Sequence, residues 1–358
     1  LATPPFLEHA GRWFRCSGIQ EPSGGVARYY LADRGQNLPV STEITGYAAS
    51  TLVYLHALTG EPDYLDRALR AAKFLTGQAW DRERQTFPYE CNGQRPLAYF
   101  FDCGIIARGL LAVWRAMGRD EFLEVARHCG HSMARDFCDG NGGFHPVLRL
   151  PEKEPLAREA QWSRAPGCYQ LKAAMAWAEL ADTGADTYLR QHYERLLAHS
   201  LETHRAFLPG DADPLRVMDR LHAYCYFLEG MLPRAGEERC AEAIREGIRK
   251  VEGLLREIGP SFARSDVYAQ LLRMRCLAAW NGVLPVDRPA AAWEAEQLRH
   301  FQMNEGDTRV AGSFSFGHKH GQTLPHANPV SAAFALQALT FWEQLDAGAD
   351  APPRHVLI

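Results

Sequence analysis

The sequence predicts an all-α fold, with twelve helices in six pairs set as an inner ring of apolar helices inside an outer ring of amphipathic ones. Three observations predict it. Apolar residues recur at helical spacing along most of the chain, with Gly, Pro, Ser, Asp or Asn at the segment ends. In each pair a more polar segment precedes a more apolar one, and loops rich in Gly, Phe and Tyr often join them. The apolar segments begin near residues 41, 99, 166, 217, 265 and 329, an uneven repeat rather than a fixed period. A helix that is apolar on most sides has to be covered, and amphipathic partners supply the cover.

Pro4-Pro5-Phe6 opens a first helix to about Ile19, followed by the polar loop 21–30. Ser41 or Thr42 caps the next helix, whose small residues (Gly46, Ala48, Ala49, Ser50) let backbones pack closely, and Gly60 ends it. Pro62 starts an amphipathic helix with Leu65, Ala68, Leu69, Ala72 and Leu75 on one face. Helices then run from about Tyr99 to Met117, from Asp120 to Phe137, from Pro166 to Gly184 and over 186–206. The turn Pro209-Gly210-Asp211 leads to a helix ending near Leu232, followed by Glu237–Ile258, Ser265–Asn281, Pro289–Met303 and Asn328 to about Leu345. No internal linker marks a domain boundary, so residues 1–358 are expected to form a single domain. The segment 150–165, with Pro151 and Pro155, reads as a surface excursion.

Composition excludes several classes of function. A net charge of −4 and a pI near 6.4 give no basic field for nucleic acid. No apolar run approaches the roughly 20 residues that cross a bilayer. Nine cysteines are an odd number with no CxxC pair, and no signal peptide is visible, which together predict a reducing cytoplasm. The glycine-rich loops lack phosphate-loop and dinucleotide fingerprints, so no cofactor is expected. His318, His320 and His326 lack the spacing of a metal motif, and no metal is expected either.

Six helical hairpins in this order resemble the (α/α)6 toroids of the six-hairpin glycosidase superfamily. The resemblance covers nearly the whole chain. It rests most on Glu43-Ile44-Thr45-Gly46-Tyr47, Phe101-Asp102-Cys103-Gly104, Leu221-His222-Ala223-Tyr224 and the run from Asn328 to Leu339. These pieces are similar to a bacterial branch found with polysaccharide genes. The resemblance implies a carbohydrate-active enzyme working on an oligosaccharide or polysaccharide fragment.

In such a toroid the inner helices are parallel and their N-termini converge on one end of the ring. That would gather Glu43 and Tyr47, Asp102, Tyr169 and Gln170, Asp219 and His222, Asp266 and Tyr268, and Asn328 and Ser331. Tyr30, Tyr89, Phe144 and Phe316, with Tyr29, Phe87 and Phe314, are loop aromatics able to stack on sugar faces. Glycoside hydrolysis needs two carboxyl groups, and Glu43 and Asp102 are the expected pair. The helix dipole also favours a charged carboxylate at these positions, which suits a base better than an acid, and Asp102 reads equally as a helix-start charge. His222, with Asp219 one turn before it and Tyr224 after it, reads either as a core histidine or as the base of a lyase or epimerase. Arg164 is a candidate for a sugar carboxylate, which the crowd of helix N-termini would also favour. A non-catalytic glycan-binding ring is the third expectation.

Overall fold

The computed structural model describes residues 4–91, 96–157, 159, 161–208 and 213–358. The turn expected at Pro209-Gly210-Asp211 lies outside them. The helices are α1 (Pro5–Cys16), α2 (Thr42–Thr59), α3 (Pro62–Phe74), α4 (Phe100–Met117), α5 (Asp120–Asp136) and α6 (Gln170–Gly184). They continue with α7 (Thr187–Phe207), α8 (Pro214–Gly230), α9 (Glu238–Ile258), α10 (Ser265–Trp280), α11 (Arg288–Arg299) and α12 (Pro329–Asp346). The even-numbered helices pack in succession, α2 on α4, α4 on α6, α6 on α8, α8 on α10 and α10 on α12, and α12 returns to α2, which closes the ring. The helices α3, α5, α7, α9 and α11 each cover two successive inner helices from outside, and α1 packs on α12. The fold is an (α/α)6 toroid.

Segment ends follow local chemistry. Ser41 caps α2 by accepting the Ile44 N–H at 3.3 Å, and Gly60 ends it in the left-handed region at φ 71°. Two expected boundaries shift. The helix after Pro166 starts only at Gln170, because Gly167-Cys168-Tyr169 form a turn first, and α11 stops at Arg299 rather than near Met303.

Glycines bring the inner helices together where the site lies. A Cβ on Gly109 would sit 2.4 Å from the Gly46 carbonyl oxygen, and one on Gly104 would sit 2.4 Å from that of Ala173. The backbones of α2, α4 and α6 therefore touch without intervening side chains, which only glycine permits.

Short antiparallel strands steer the chain into the inner helices. Val40–Ser41 pairs with Val26–Ala27 before α2, Leu97–Tyr99 with Val147–Arg149 before α4, Phe262–Arg264 with Gly317–Lys319 before α10, and His326–Ala327 with Tyr30–Leu31 before α12. The bore of the ring is held by charge. Glu229 of α8 lies between Lys172 of α6, at 2.9 Å, and Arg273 of α10, and all three are fully buried. Residues 356–358 run into this centre. Lys172 Nζ donates to the Ile358 oxygen at 2.9 Å, Arg108 to that of Leu357 at 2.7 Å, and Gln337 to that of Val356 at 2.7 Å. Among the described residues no helix is long and apolar enough to cross a membrane.

Candidate active site

The N-terminal ends of α2, α4, α6 and α10 meet the third turn of α8 around a cavity of about 390 Å³. Glu43 and Asp102 line it from the first turns of α2 and α4, His222 and Tyr226 from α8, and Arg264 from the strand before α10. Its walls are aromatic: Tyr89, Tyr99, Phe101, Trp162 and Tyr169.

The two carboxyl groups are unlike the other buried acids of the protein. Glu179, Glu229 and Asp266 each hold a cation by a short ion pair. Glu43 makes no hydrogen bond or ion pair among the described residues. The Oδ2 of Asp102 is buried and has no hydrogen-bond partner there. Burial raises Glu43 to about 7, with Arg28 pulling the other way. Burial, and then the charge of Glu43, raise Asp102 well above the usual carboxylate range. The helix dipole expected to keep both groups ionised is outweighed by desolvation, which penalises any charge the cavity does not pair. Of the two, Asp102 is the more enclosed, 5% exposed, and Arg28 pulls both groups down.

His222 is held by acceptors on one side. Its Nδ1 lies 2.9 Å from Gln270 Oε1 and 3.3 Å from Asp266 Oδ2, so Nδ1 carries the proton and donates. Nε2 keeps its lone pair, and burial lowers the imidazole to about 4, so it is neutral at pH 7. Arg264 is buried and forks onto Asp266 at 2.6 and 3.0 Å, reaches Asp219 at 2.7 Å, and lies 4.6 Å from the Phe316 ring centre. Asp219, Asp266 and Phe316 thus fix Arg264 and His222 and do not line the cavity themselves. Tyr47 also stands behind the wall, donating its hydroxyl to that of Tyr226 at 3.2 Å. Arg164 lines the cavity and is tied to Glu159 at 3.0 Å and to the Tyr99 hydroxyl at 3.4 Å.

The remaining expected site residues lie elsewhere, for identifiable reasons. Phe144 is fully buried against Phe100 and Trp177, where the core needs a ring more than a sugar does. Gln170 joins loops at the start of α6, accepting from Gly167 N–H and donating to the Phe144 carbonyl. Tyr224 points outward to α7 and bonds His204 at 2.9 Å. Tyr30 packs under the Arg309 guanidinium, and Asn328 caps α12 through the N–H groups of Val330 and Ser331. Phe87 and Phe314 are core residues. His318 stacks on Phe301 and His326 on Tyr29, and no cluster of metal-ligating groups occurs among the described residues.

Tyr99, Phe101, Gln161, Trp162, Ser163, Tyr226 and Arg264 line the cavity and were not among the residues expected there. The signal for Arg264 was present: an arginine two residues before an aspartate at the start of an apolar helix needs a partner. The segment 150–165 is more than a surface excursion, since Gln161–Arg164 forms one wall of the cavity.

No family model matches the sequence, and no curated protein matches it. Solved structures do. A cellobiose 2-epimerase from Bacillus thermoamylovorans superposes with a TM-score of 0.72 at 10% identity, over 94% of this chain and 97% of that one. A sugar epimerase from a ruminal bacterium gives 0.68 at 12% identity, over 96% and 97%. An inactive variant of an α-1,6-mannanase from a Salegentibacter species, in complex with α-1,6-mannotriose, gives 0.60 at 12% identity, over 94% and 99%. The likeness is one of fold. At such identity it fixes the toroid and leaves the reaction to the residues of the cavity.

Proposed function

We propose that the protein is a carbohydrate-active enzyme, a glycoside hydrolase of oligosaccharides in which Asp102 is the general acid and Glu43 the base. The observation that carries this reading is that two unpaired carboxyl groups open onto one aromatic cavity, where burial raises both above the usual carboxylate range. Acid–base cleavage of a glycosidic bond needs one carboxyl protonated and one ionised at the same pH. Asp102, more enclosed and raised further by Glu43, keeps its proton, and Glu43 gives its proton up first. The pair titrates together, so a pH profile reports the pair rather than either residue. Activity is expected to fall below about pH 7, where the base becomes protonated.

The aromatic walls suit sugar faces. Arg164 is the guanidinium suited to a ligand carboxylate, because its pair with Glu159 is solvent-exposed and exchangeable, whereas Arg264 is buried and forked onto Asp266. A uronate-bearing substrate is therefore the finer reading, and the single domain spanning the ring is expected to carry the activity alone.

A second reading has its own support. A neutral His222 with a free Nε2 beside Tyr226 can remove a proton next to a sugar carbonyl, which is epimerase chemistry, and two of the three solved structures described above are sugar epimerases. One experiment separates the two. The protein is incubated with neutral and uronate-containing oligosaccharides in deuterated buffer. New reducing ends, lost about 10³-fold in Asp102→Asn, support hydrolysis. Deuterium uptake into an uncleaved sugar, abolished in His222→Asn and retained in Asp102→Asn, overturns it in favour of epimerisation. Binding without either change leaves a glycan-binding ring.

A further inference from the structure

Two residues singled out in the sequence, Tyr268 and His318, do not face the inner cavity. They lie together in a second cavity, of about 480 Å³, on the outside of the ring between α9, α11 and the start of α10. One strand separates the two spaces. Along Phe262–Arg264, Ala263 lines the outer cavity and Arg264 the inner one, as alternation along a strand requires.

The lining is mostly aromatic and neutral, with Arg256 its one arginine. The Tyr268 ring centre lies 5.6 Å from that of Trp293 and 5.9 Å from that of Phe301, and His318 stacks on Phe301 at 4.4 Å. Tyr268 is 4% exposed, yet its hydroxyl has no hydrogen-bond partner among the described residues. The Trp293 indole N–H and the Gln297 amide, both on this cavity, have none either. Burial, and then the neighbouring His300, lower His318, which keeps it neutral. The one cation directed at the aromatic rings, Arg256, is paired with Glu252 at 3.0 Å and lies 3.8 Å from the Trp293 ring centre.

An ionic ligand finds no free counter-charge here. An apolar ligand would cover the Tyr268 hydroxyl without giving it a partner, which opposes binding. Aromatic faces combined with neutral donors and acceptors match a ligand that presents C–H faces and hydroxyl groups together. We propose that the outer cavity is a second binding site, for a neutral saccharide. It holds a glycan on the outer wall of the ring, one strand away from the inner cavity.

The test is electrophoresis of the full chain through native gels cast with a neutral polysaccharide: yeast mannan, galactomannan or mixed-linkage β-glucan. Glu43→Gln is used as the background, so that turnover does not erode the gel and the result does not depend on the reaction assigned to the inner cavity. The expected result is retardation in at least one gel, reduced at least fivefold by Trp293→Ala. Tyr268→Phe, which keeps the ring and its packing, is expected to reduce it at least twofold, and it carries the test if Trp293→Ala fails to fold. Retardation unchanged by both substitutions, or lost in Tyr89→Ala alone, places binding elsewhere and overturns the proposal. So does the absence of retardation in all three gels.

Discussion

Replacing Asp102 with Asn is expected to lower turnover about 10³-fold and, at the same time, to raise the melting temperature above pH 7. The two effects have one cause. In the unfolded chain the Asp102 carboxyl ionises in the usual range, whereas in the folded protein burial and Glu43 hold its proton well above that range. The folded state therefore binds protons more tightly than the unfolded one. Stability attached to this group is complete below the unfolded pKa and is lost as pH rises through the folded pKa. An amide carries no such penalty, so the variant gains about 1–3 kcal/mol at pH 8 and little at pH 4. Glu43→Gln is expected to behave alike, with its gain appearing as pH rises from the usual carboxylate range to about 7. Thermal unfolding at several pH values, alongside the reducing-end assay, checks both halves. A variant with lost activity but no pH-dependent gain would show Asp102 to be an ordinary helix-start charge.

Glu229→Gln is expected to destabilise the protein by about 3–5 kcal/mol. Glu229 stands between Lys172 and Arg273 in the centre of the ring, with none of the three exposed. The amide leaves two buried cations without their counter-charge. Burial already lowers Lys172 to about 7, against the pull of Glu229. In the wild-type protein the unfolded lysine stays protonated up to its ordinary value of 10.5 while the folded one gives up its proton near 7. Stability attached to Lys172 thus rises with pH across that window, and losing Glu229 extends the window downward. The variant should recover part of its loss at pH 9, and Glu229→Gln combined with Lys172→Met should cost less than the sum of the two single changes. Denaturant unfolding at pH 7 and 9 measures this. A loss under 1 kcal/mol at both would show that the charges do not hold the ring.

The ring itself was legible because its elements carry strong local signals. Ser41 and Gly60 mark helix ends that the structure repeats. Glu43 and Asp102 were legible because each is a carboxylate in the first turn of an otherwise apolar helix. The aromatic lining was not. Phe144 and Phe87 have the same loop setting as Tyr89, and only tertiary packing decides which ring fills the core and which faces the cavity. Side-chain direction within a buried helix is equally hidden. Tyr224 and Tyr226 are two residues apart on α8, one turned to the outer ring and one to the cavity. Beside Arg164, the residues Gln161–Ser163 could not be read from sequence, because the segment has no periodicity and its role comes from where the fold sets it against the cavity.

Ring closure places Glu43 and Asp102 in one poorly hydrated space, where burial raises both and the charge of Glu43 raises Asp102 further. Carbon-13 carboxyl shifts followed from pH 3 to 10 test it most directly. Glu43 is expected to titrate near 7, Asp102 well above the ordinary aspartate range, and Asp102 to move down in Glu43→Gln. Two independent titrations near 4, with Asp102 unmoved by that substitution, would contradict it.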